Sequence, residues 1–467
     1  MVGGMEGEEV RLSTSFSDQG EFMVESVRHG ALDIAVTDRF VRLWDDRGSG
    51  ATLHGAFFDP LITDAMYAQG WRALGSVGHG GNHDDITGTR ATILVRGVNA
   101  ADAMVRPPTD FQLVWRDEKS GAKQDGSVWR PVAPSGYVAL GHVFSRSWNK
   151  PPAHWYACIR RDFAGRRYVR DGVIGDLIWN DQKSGAKTDV GVWQIRSAPY
   201  PSDSEERLIL GADLILSVNH YSRPTDTVSV LDLPAAVARR NPPPRPVLTS
   251  HREPDPIAQV TDRAVIVPCT LVKDPNKTIA WQVANSPFYT LERRVNYTLQ
   301  IFRNNEAGTV PQPSNRRVTT GVSKERSEEY SRKTSVTVSA SAGISIKAFS
   351  ASIDTSVTTE LGYSSRYGVT QFTEDSKDHG LITPPRSSGA LWSATHEVIA
   401  IRKDGDAVGG QGGLRFDVDS YVTGEFPGSA GVRATVDGKD IDHVAVPGPA
   451  AEVEVNVPDI PHELANA

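Results

Sequence analysis

The chain has 467 residues, with 50 Lys and Arg against 57 Asp and Glu and a formal net charge of -7. That balance argues against nucleic acid as the main partner, because phosphate binding draws its affinity from clustered cations. The length predicts two or three domains, and 42 Gly, 29 Pro and abundant Val, Thr, Ser and Tyr predict an all-β protein rich in turns.

The opening stretch MVGGMEGEEVRL carries acids where a secretory signal carries bases, and no apolar core follows it. No run reaches the roughly 18 apolar residues of a spanning helix. The chain is therefore expected to be made soluble without a classical signal peptide. Cys158 and Cys269 are too few for a disulfide framework and read as buried thiols, with their pairing left open by spacing alone.

Three copies of one pattern follow. Trp44, Asp46, Ser49, Gly50 and Ala51 recur as Trp115, Asp117, Ser120, Gly121 and Ala122, and again as Trp179, Asp181, Ser184, Gly185 and Ala186. An aromatic stands seven positions after each Ala (Phe58, Trp129, Trp193). Leu74-Gly75, Leu140-Gly141 and Leu210-Gly211 are each followed by an asparagine (Asn82, Asn149, Asn219). Each unit reads as four short strands, in the first AVTDRFVRLW, ATLHGAFF, GWRALGSV and TRATILVRGV. Units this short cannot bury their own apolar faces, so the three must share one core. Three sheets about a pseudo-threefold axis make a β-prism. A β-trefoil has the same symmetry, but its repeats are usually shorter than the spacings of 71 and 64 between successive Trp positions.

Asp46, Asp117 and Asp181, with hydroxyls beside them, could hold a cation or sugar hydroxyls. The preferred reading is structural: an Asp that opens a turn accepts backbone N–H groups two or three residues on. The densest polar cluster, His79-Gly80-Gly81-Asn82-His83-Asp84-Asp85, could ligate a metal. It aligns with loops of the other repeats that lack both histidines and reads as a solvated loop, so no metal site and no cofactor are expected.

Roughly residues 30 to 235 resemble the family of vacuolar protein sorting-associated protein 62. The resemblance lies in FQLVWRDEKSGAKQDGSVWRPVAPSGYVALGHV followed by NKPPAHWYACIRRD. It adds little about activity.

The proline-rich stretch 238 to 256, ARRNPPPRPVLTSHREPDP, is a stiff connector and the best boundary in the chain. The division expected is a prism-like receptor-binding half over 1–237, a linker over 238–262 and a second all-β domain over 263–467. In that domain VIVPCTLV, YTLERRVNYTLQIFR and ALWSATHEVIAIRKDG read as strands. Val436-Asp437-Gly438-Lys439 reads as a tight hairpin with Asp-Gly turn chemistry.

Residues 334–363 carry the strongest signal. Even positions are apolar first (Val336, Val338, Ala340, Ala342, Ile344, Ile346), and odd positions later (Phe349, Ala351, Ile353, Val357, Leu361). The opposite face is hydroxyl-rich: Ser335, Thr337, Ser339 and Ser341, then Ser350, Ser352, Asp354 and Ser356. Alternation with period two makes a strand with one apolar face, and a change of parity means the chain has turned. This reads as one long β-hairpin with its tip near Lys347 and Ala348. Exposed faces of ordinary sheets carry long charged groups, whereas here charge sits at the base, from Lys324 to Lys333 and from Arg366 to Asp378. No proline falls between Pro313 and Pro384, so both arms are expected to keep strand pairing well beyond the hairpin. A strand of about 9 to 11 residues, apolar toward lipid and polar toward a lumen, is the unit of a membrane β-barrel. Lipid allows no unpaired backbone, so such a hairpin inserts only by closing a barrel with copies of itself.

The run TGVSKERSEEYSRKTSVTVSASAGISIKAFSASI, with ELGYSS after it, resembles the aerolysin-type β-pore-forming toxins, including insecticidal members, over about residues 264 to 425. The resemblance implies an elongated β-sheet pore-forming domain behind the prism. It implies a soluble bacterial toxin that binds a glycan, lipid or protein receptor on a target-cell membrane, assembles as a homo-oligomer and acts extracellularly. The competing reading is a glycan- or lipid-binding adaptor that forms no pore. No HExxH, Walker loop or nucleophile elbow occurs, so no catalytic residue and no enzyme activity are expected.

Overall fold

The computed structural model of the protein describes residues 24–197, 207–339, 343–347, 354–357, 361–363, 372–410 and 412–441. The fold is all-β. In the first half, three antiparallel sheets correspond to the three repeats: β1 (Phe40–Asp45), β2 (Gly55–Pro60) and β3 (Val77–Gly80); β4 (Asp110–Arg116), β5 (Ser127–Val132) and β6 (Val143–Ser145); and β7 (Val169–Asn180), β8 (Gly191–Ser197) and β9 (Ile215–Val218). The first two units have three strands at the axis rather than the expected four, and the third lies in a five-stranded sheet where β7 also pairs with Ser229–Pro234. The predicted first strand is broken where the Thr37 hydroxyl accepts the Arg39 N–H at 3.1 Å. Before the break, Leu32–Thr37 pairs with Ser26–His29 and Thr92–Gly97 in a separate sheet.

The repeated tryptophans meet on the axis. Trp44, Trp115 and Trp179 are fully buried, and their rings lie edge to face with centroids 5.2 to 5.7 Å apart, a favoured aromatic geometry. Each indole N–H is handed to the next repeat. Trp44 donates to Asp117 Oδ2 and to the Gln124 carbonyl, both at 3.0 Å. Trp115 donates to Asp181 Oδ2 at 3.1 Å and to the Thr188 carbonyl at 2.8 Å, and Trp179 donates to the Leu53 carbonyl at 3.0 Å. The backbone runs round the same cycle, Lys123 to Arg47, Lys187 to Glu118 and Thr52 to Gln182, each N–H···O at 2.9 Å. Gly126 is required by this closeness: a Cβ there would stand 2.1 Å from the Trp44 ring.

In the second half, β10 (Ala236–Arg239), β11 (Val260–Pro268), β12 (Phe288–Asn305), β18 (Ser387–Ile401) and β19 (Leu414–Phe426) form one antiparallel sheet in that order. β12 has 18 residues, about 60 Å of strand at the usual rise. A second sheet orders β13 (Gln312–Thr320), β17 (Asp375–Thr383), β20 (Arg433–Val436) and β21 (Lys439–Asp440). The Asp-Gly hairpin forms as expected: Val436 pairs with Lys439, and Asp437 and Gly438 have φ of 48° and 75°. Ends of the proline-rich connector belong to this half. Ala238 and Arg239 pair with Ala264 and Arg263, and Leu248 is buried with Ala390 and Trp392.

One apolar cluster runs from Leu208, Leu231 and Leu233 of the first half into Val265, Val267 and Leu291 of the second. Polar ties at the junction include the Ala280 N–H on the Gly88 carbonyl at 3.2 Å and Lys403 Nζ on Glu25 at 2.7 Å. Cys158 and Cys269 are free and buried, and burial pushes both thiols up to about 12. Replacing Trp115 with Ala is expected to cost about 3–5 kcal/mol, as for other fully buried tryptophans. The measurement is the urea midpoint of the first half; a loss below about 1 kcal/mol would show that the ring does not hold the repeats together.

Candidate membrane-inserting ribbon and turn cluster

The alternating segment is folded against the protein. Its strands are β14 (Val336–Ser339), β15 (Gly343–Lys347) and β16 (Asp354–Ser356), a three-stranded antiparallel sheet. Ser339 stands opposite Gly343, and Lys347 opposite Asp354, so the chain reverses twice rather than once at Lys347 and Ala348. Gly343, with φ of 62°, lies at the end of the first reversal. The pairing explains why the parity pattern shows only the second. Val336 faces Ile346 and Val338 faces Ile344, partners of the same parity, so the apolar face passes through the first reversal unchanged. In the second, Ser345 faces Ser356 and Ile346 faces Thr355, partners of opposite parity, and the apolar positions switch.

Val336, Val338, Ile344, Ile346, Val357 and Leu361 are all 1% exposed or less. They belong to the large apolar cluster that also holds Tyr330, Val398, Leu414 and Phe416. Burying each such side chain stabilises by roughly 1.5–3 kcal/mol, so the ribbon is held mainly by its apolar face. Ala340, Ala342, Phe349, Ala351, Ile353, Ser341, Ser350 and Ser352 lie outside the described residues.

The charged run before the ribbon is a helix, α1 (Lys324–Thr334), and not the strand extension expected from the absence of proline. Ser323 caps it by accepting the Arg326 N–H at 3.3 Å. Glu325 sits in the first turn and Arg332 and Lys333 in the last, matching the helix dipole. Its inward residues Ser327, Tyr330 and Thr334 are too polar to leave an apolar periodicity in the sequence. Ser335 ends the helix in a left-handed conformation (φ 63°) with its N–H on the Ser331 carbonyl, and its side chain is buried. The helix also satisfies the ribbon's edge. The Ser327 hydroxyl donates to the Val338 carbonyl at 2.5 Å and accepts the Val338 N–H at 3.2 Å, and the Ser331 and Thr337 hydroxyls meet at 2.9 Å. Thr337, Ser339 and Ser345 are half-buried.

The far end of the ribbon is latched. Tyr363 Oη lies 2.8 Å from His396 Nδ1 on β18. Arg293 reaches the Gly362 carbonyl at 3.2 Å, sits over the Tyr363 ring at 5.1 Å and pairs with Asp262. Burial, with help from Arg293, lowers His396 to about 3. Its neutral form is thus built into the fold. The associated stability is complete above the unfolded value near 6.5 and is lost as pH falls toward about 3. By pH 5 that loss is about 2 kcal/mol. His396→Gln, which still offers Tyr363 an acceptor, is expected to flatten the fall in stability between pH 7 and 5 relative to the parent. Buried carboxylates such as Asp59 and Asp213, raised to about 6 by desolvation, act oppositely in both proteins and cancel in the comparison. Parallel pH profiles of the urea midpoint would show that the latch does not titrate.

The three turn aspartates are buried. Ser49, Ser120 and Ser184 N–H groups bond to the Asp46, Asp117 and Asp181 main-chain carbonyls at 2.8 to 2.9 Å, so the backbone closes each turn, and not the carboxylate as the sequence suggests. Asp117 and Asp181 also receive the indoles described above, a structural use. Asp46 differs: its Oδ1 accepts the Gly55 N–H at 2.8 Å and lies 2.5 Å from His83 Nε2, with His54 Nδ1 3.7 Å from Oδ2. His79 is half-buried and bonds Asn82 at 2.7 Å, and His83 turns inward. His54 drew no notice in the sequence because it lies 29 residues from His83 and outside the polar run.

Two family models match. Residues 10–214 match vacuolar protein sorting-associated protein 62, and residues 264–386 match the Insecticidal Crystal Toxin, P42 family. The two halves therefore resemble different families, and the second resembles insecticidal toxins across the segment that includes the ribbon. Among solved structures, GNIP1Aa from Chromobacterium piscinae is 25% identical, covering 41% of this chain and 34% of its own, at a TM-score of 0.33. The chain thus matches about a third of the GNIP1Aa length. Cry35Ab1 is 9% identical, covering 86% of this chain and 91% of its own, at a TM-score of 0.28. No curated protein matches the chain.

Proposed function

We propose that the protein is a pore-forming toxin of insecticidal type, which stores residues 334–363 as a packed ribbon and releases them into a target membrane. The reading rests on one observation. Val336, Val338, Ile344, Ile346, Val357 and Leu361, the described part of an apolar face that alternates with Ser and Thr in the sequence, are packed in one apolar cluster with Val398, Leu414 and Phe416, inside the region similar to insecticidal crystal toxins. After release, the apolar face (Val336, Val338, Ala340, Ala342, Ile344, Ile346, Phe349, Ala351, Ile353, Val357, Leu361) meets lipid. The hydroxyl-bearing face (Ser335, Thr337, Ser339, Ser341, Ser350, Ser352, Asp354, Ser356) lines water. Closure of the barrel requires several copies, because lipid cannot satisfy a free strand edge. The pseudo-threefold half is the receptor-binding module, and the toxin acts from outside the target cell.

A reversible lock tests release. The Ser331 and Thr337 hydroxyls are 2.9 Å apart, close enough for a Ser331→Cys/Thr337→Cys pair to bridge. The oxidised protein is expected to bind vesicles of insect midgut membrane without releasing calcein, and reduction is expected to restore release to the parent rate. Equal release from oxidised and reduced protein sinks the insertion reading. Binding by both forms with no release from the parent either favours the adaptor without a pore.

A further inference from the structure

The three repeats serve as controls for one another, and one of the three turn aspartates has left the common pattern. Asp117 spends its oxygens on two indoles, Oδ2 on Trp44 at 3.0 Å and Oδ1 on Trp148 at 2.7 Å. Asp181 receives Trp115 on Oδ2 and the Val190 N–H on Oδ1 at 2.9 Å. By symmetry Asp46 should receive Trp179, but that indole donates to the Leu53 carbonyl. Its place beside Asp46 is taken by imidazoles. His54 occupies the position held by Asp125 and Asp189 in the other repeats, eight residues after the turn aspartate. His83 comes from the loop after the third strand of its sheet, where the second repeat sends Trp148 to its own aspartate.

We infer that Asp46, His54 and His83 form a binding site for a divalent transition metal of the zinc class. One oxygen of Asp46 and one ring nitrogen each of His54 and His83 lie within 4.8 Å of one another. Two imidazoles and a carboxylate are a donor set suited to zinc, which takes such ligands at about 2.0–2.2 Å. The site is built. The Arg42 and Arg47 guanidinium groups both donate to the His83 carbonyl, at 2.7 and 3.2 Å, and the Gly81 N–H bonds the His54 carbonyl at 2.7 Å, so the two histidine loops are tied together. The Gly55 N–H fixes Asp46 from behind. Such supporting bonds orient ligands and tune their affinity. Entry of the ion replaces the His83–Asp46 hydrogen bond by two metal bonds and draws in His54, whose side chain is 59% exposed and free to turn. The exposed side leaves the fourth tetrahedral position to water, so the ion would face solvent on the receptor-binding half. This inference stands apart from the insertion reading.

The test is calorimetric titration of the untagged full chain, stripped with EDTA, using zinc chloride, with cobalt chloride absorption as a second readout. One ion per chain is expected, with the intense visible bands of tetrahedral cobalt. His54→Ala, a change at an exposed side chain that leaves the fold in place, is expected to weaken zinc at least tenfold and to remove those bands. His79→Ala should leave both unchanged. Absence of saturable zinc binding by the parent, equal binding by the His54→Ala variant, or equal loss on His79→Ala each overturns the site. Calcium chloride binding in place of zinc overturns the assignment of the metal.

Discussion

The first half depends on a relay of indole N–H groups. A tryptophan at the centre of a β protein brings a large apolar surface and one donor that must be satisfied, and here the acceptor always belongs to the next repeat in the cycle. No repeat can bury its own tryptophan properly alone. The same constraint explains the invariance of the turn that follows, because an aspartate carbonyl closes the turn while its carboxylate stays free to look across the axis. Trp44, Asp117 and Gln124 are far apart in sequence but are one unit in space.

The relay makes the threefold pattern legible without a structure. Identical spacings in three places are hard to produce except by identical geometry, and the core tryptophans and turn aspartates follow from that, whereas the buried character of both cysteines follows from their small number. Two things were not legible. The splitting of the first unit's first strand depends on a local threonine-to-backbone bond at Thr37, which no period reveals. The departure of Asp46 from its role depends on His54 and His83, brought together by the pairing of β2 with β3. Residues that look like loop polarity in one dimension gather around Asp46 in three.

The ribbon teaches a more specific lesson about reading strands. Parity reports a reversal only when paired residues sum to an odd number, so the turn between Ser339 and Gly343 left no trace, whereas the later one did. The helix Lys324–Thr334 was missed for a related reason: its buried side is made of Ser327, Tyr330 and Thr334, which hydrogen-bond instead of presenting an apolar stripe. The distinction between a strand that is packed and one that is destined for lipid is not in the alternation itself, since both need one apolar face.

Because Ser327 uses both lone pair and proton on the backbone of Val338, the helix and the first ribbon strand hold a mutual debt of hydrogen bonds. If the ribbon departs, that hydroxyl is orphaned, and Val398, Leu414 and Phe416 lose their cover at the same moment. A lone molecule with that surface open is costly in water, and a neighbour in the same state can share the burden. On the insertion proposal, undocking and self-association would be two faces of one equilibrium, with crowding on a surface as its natural control variable.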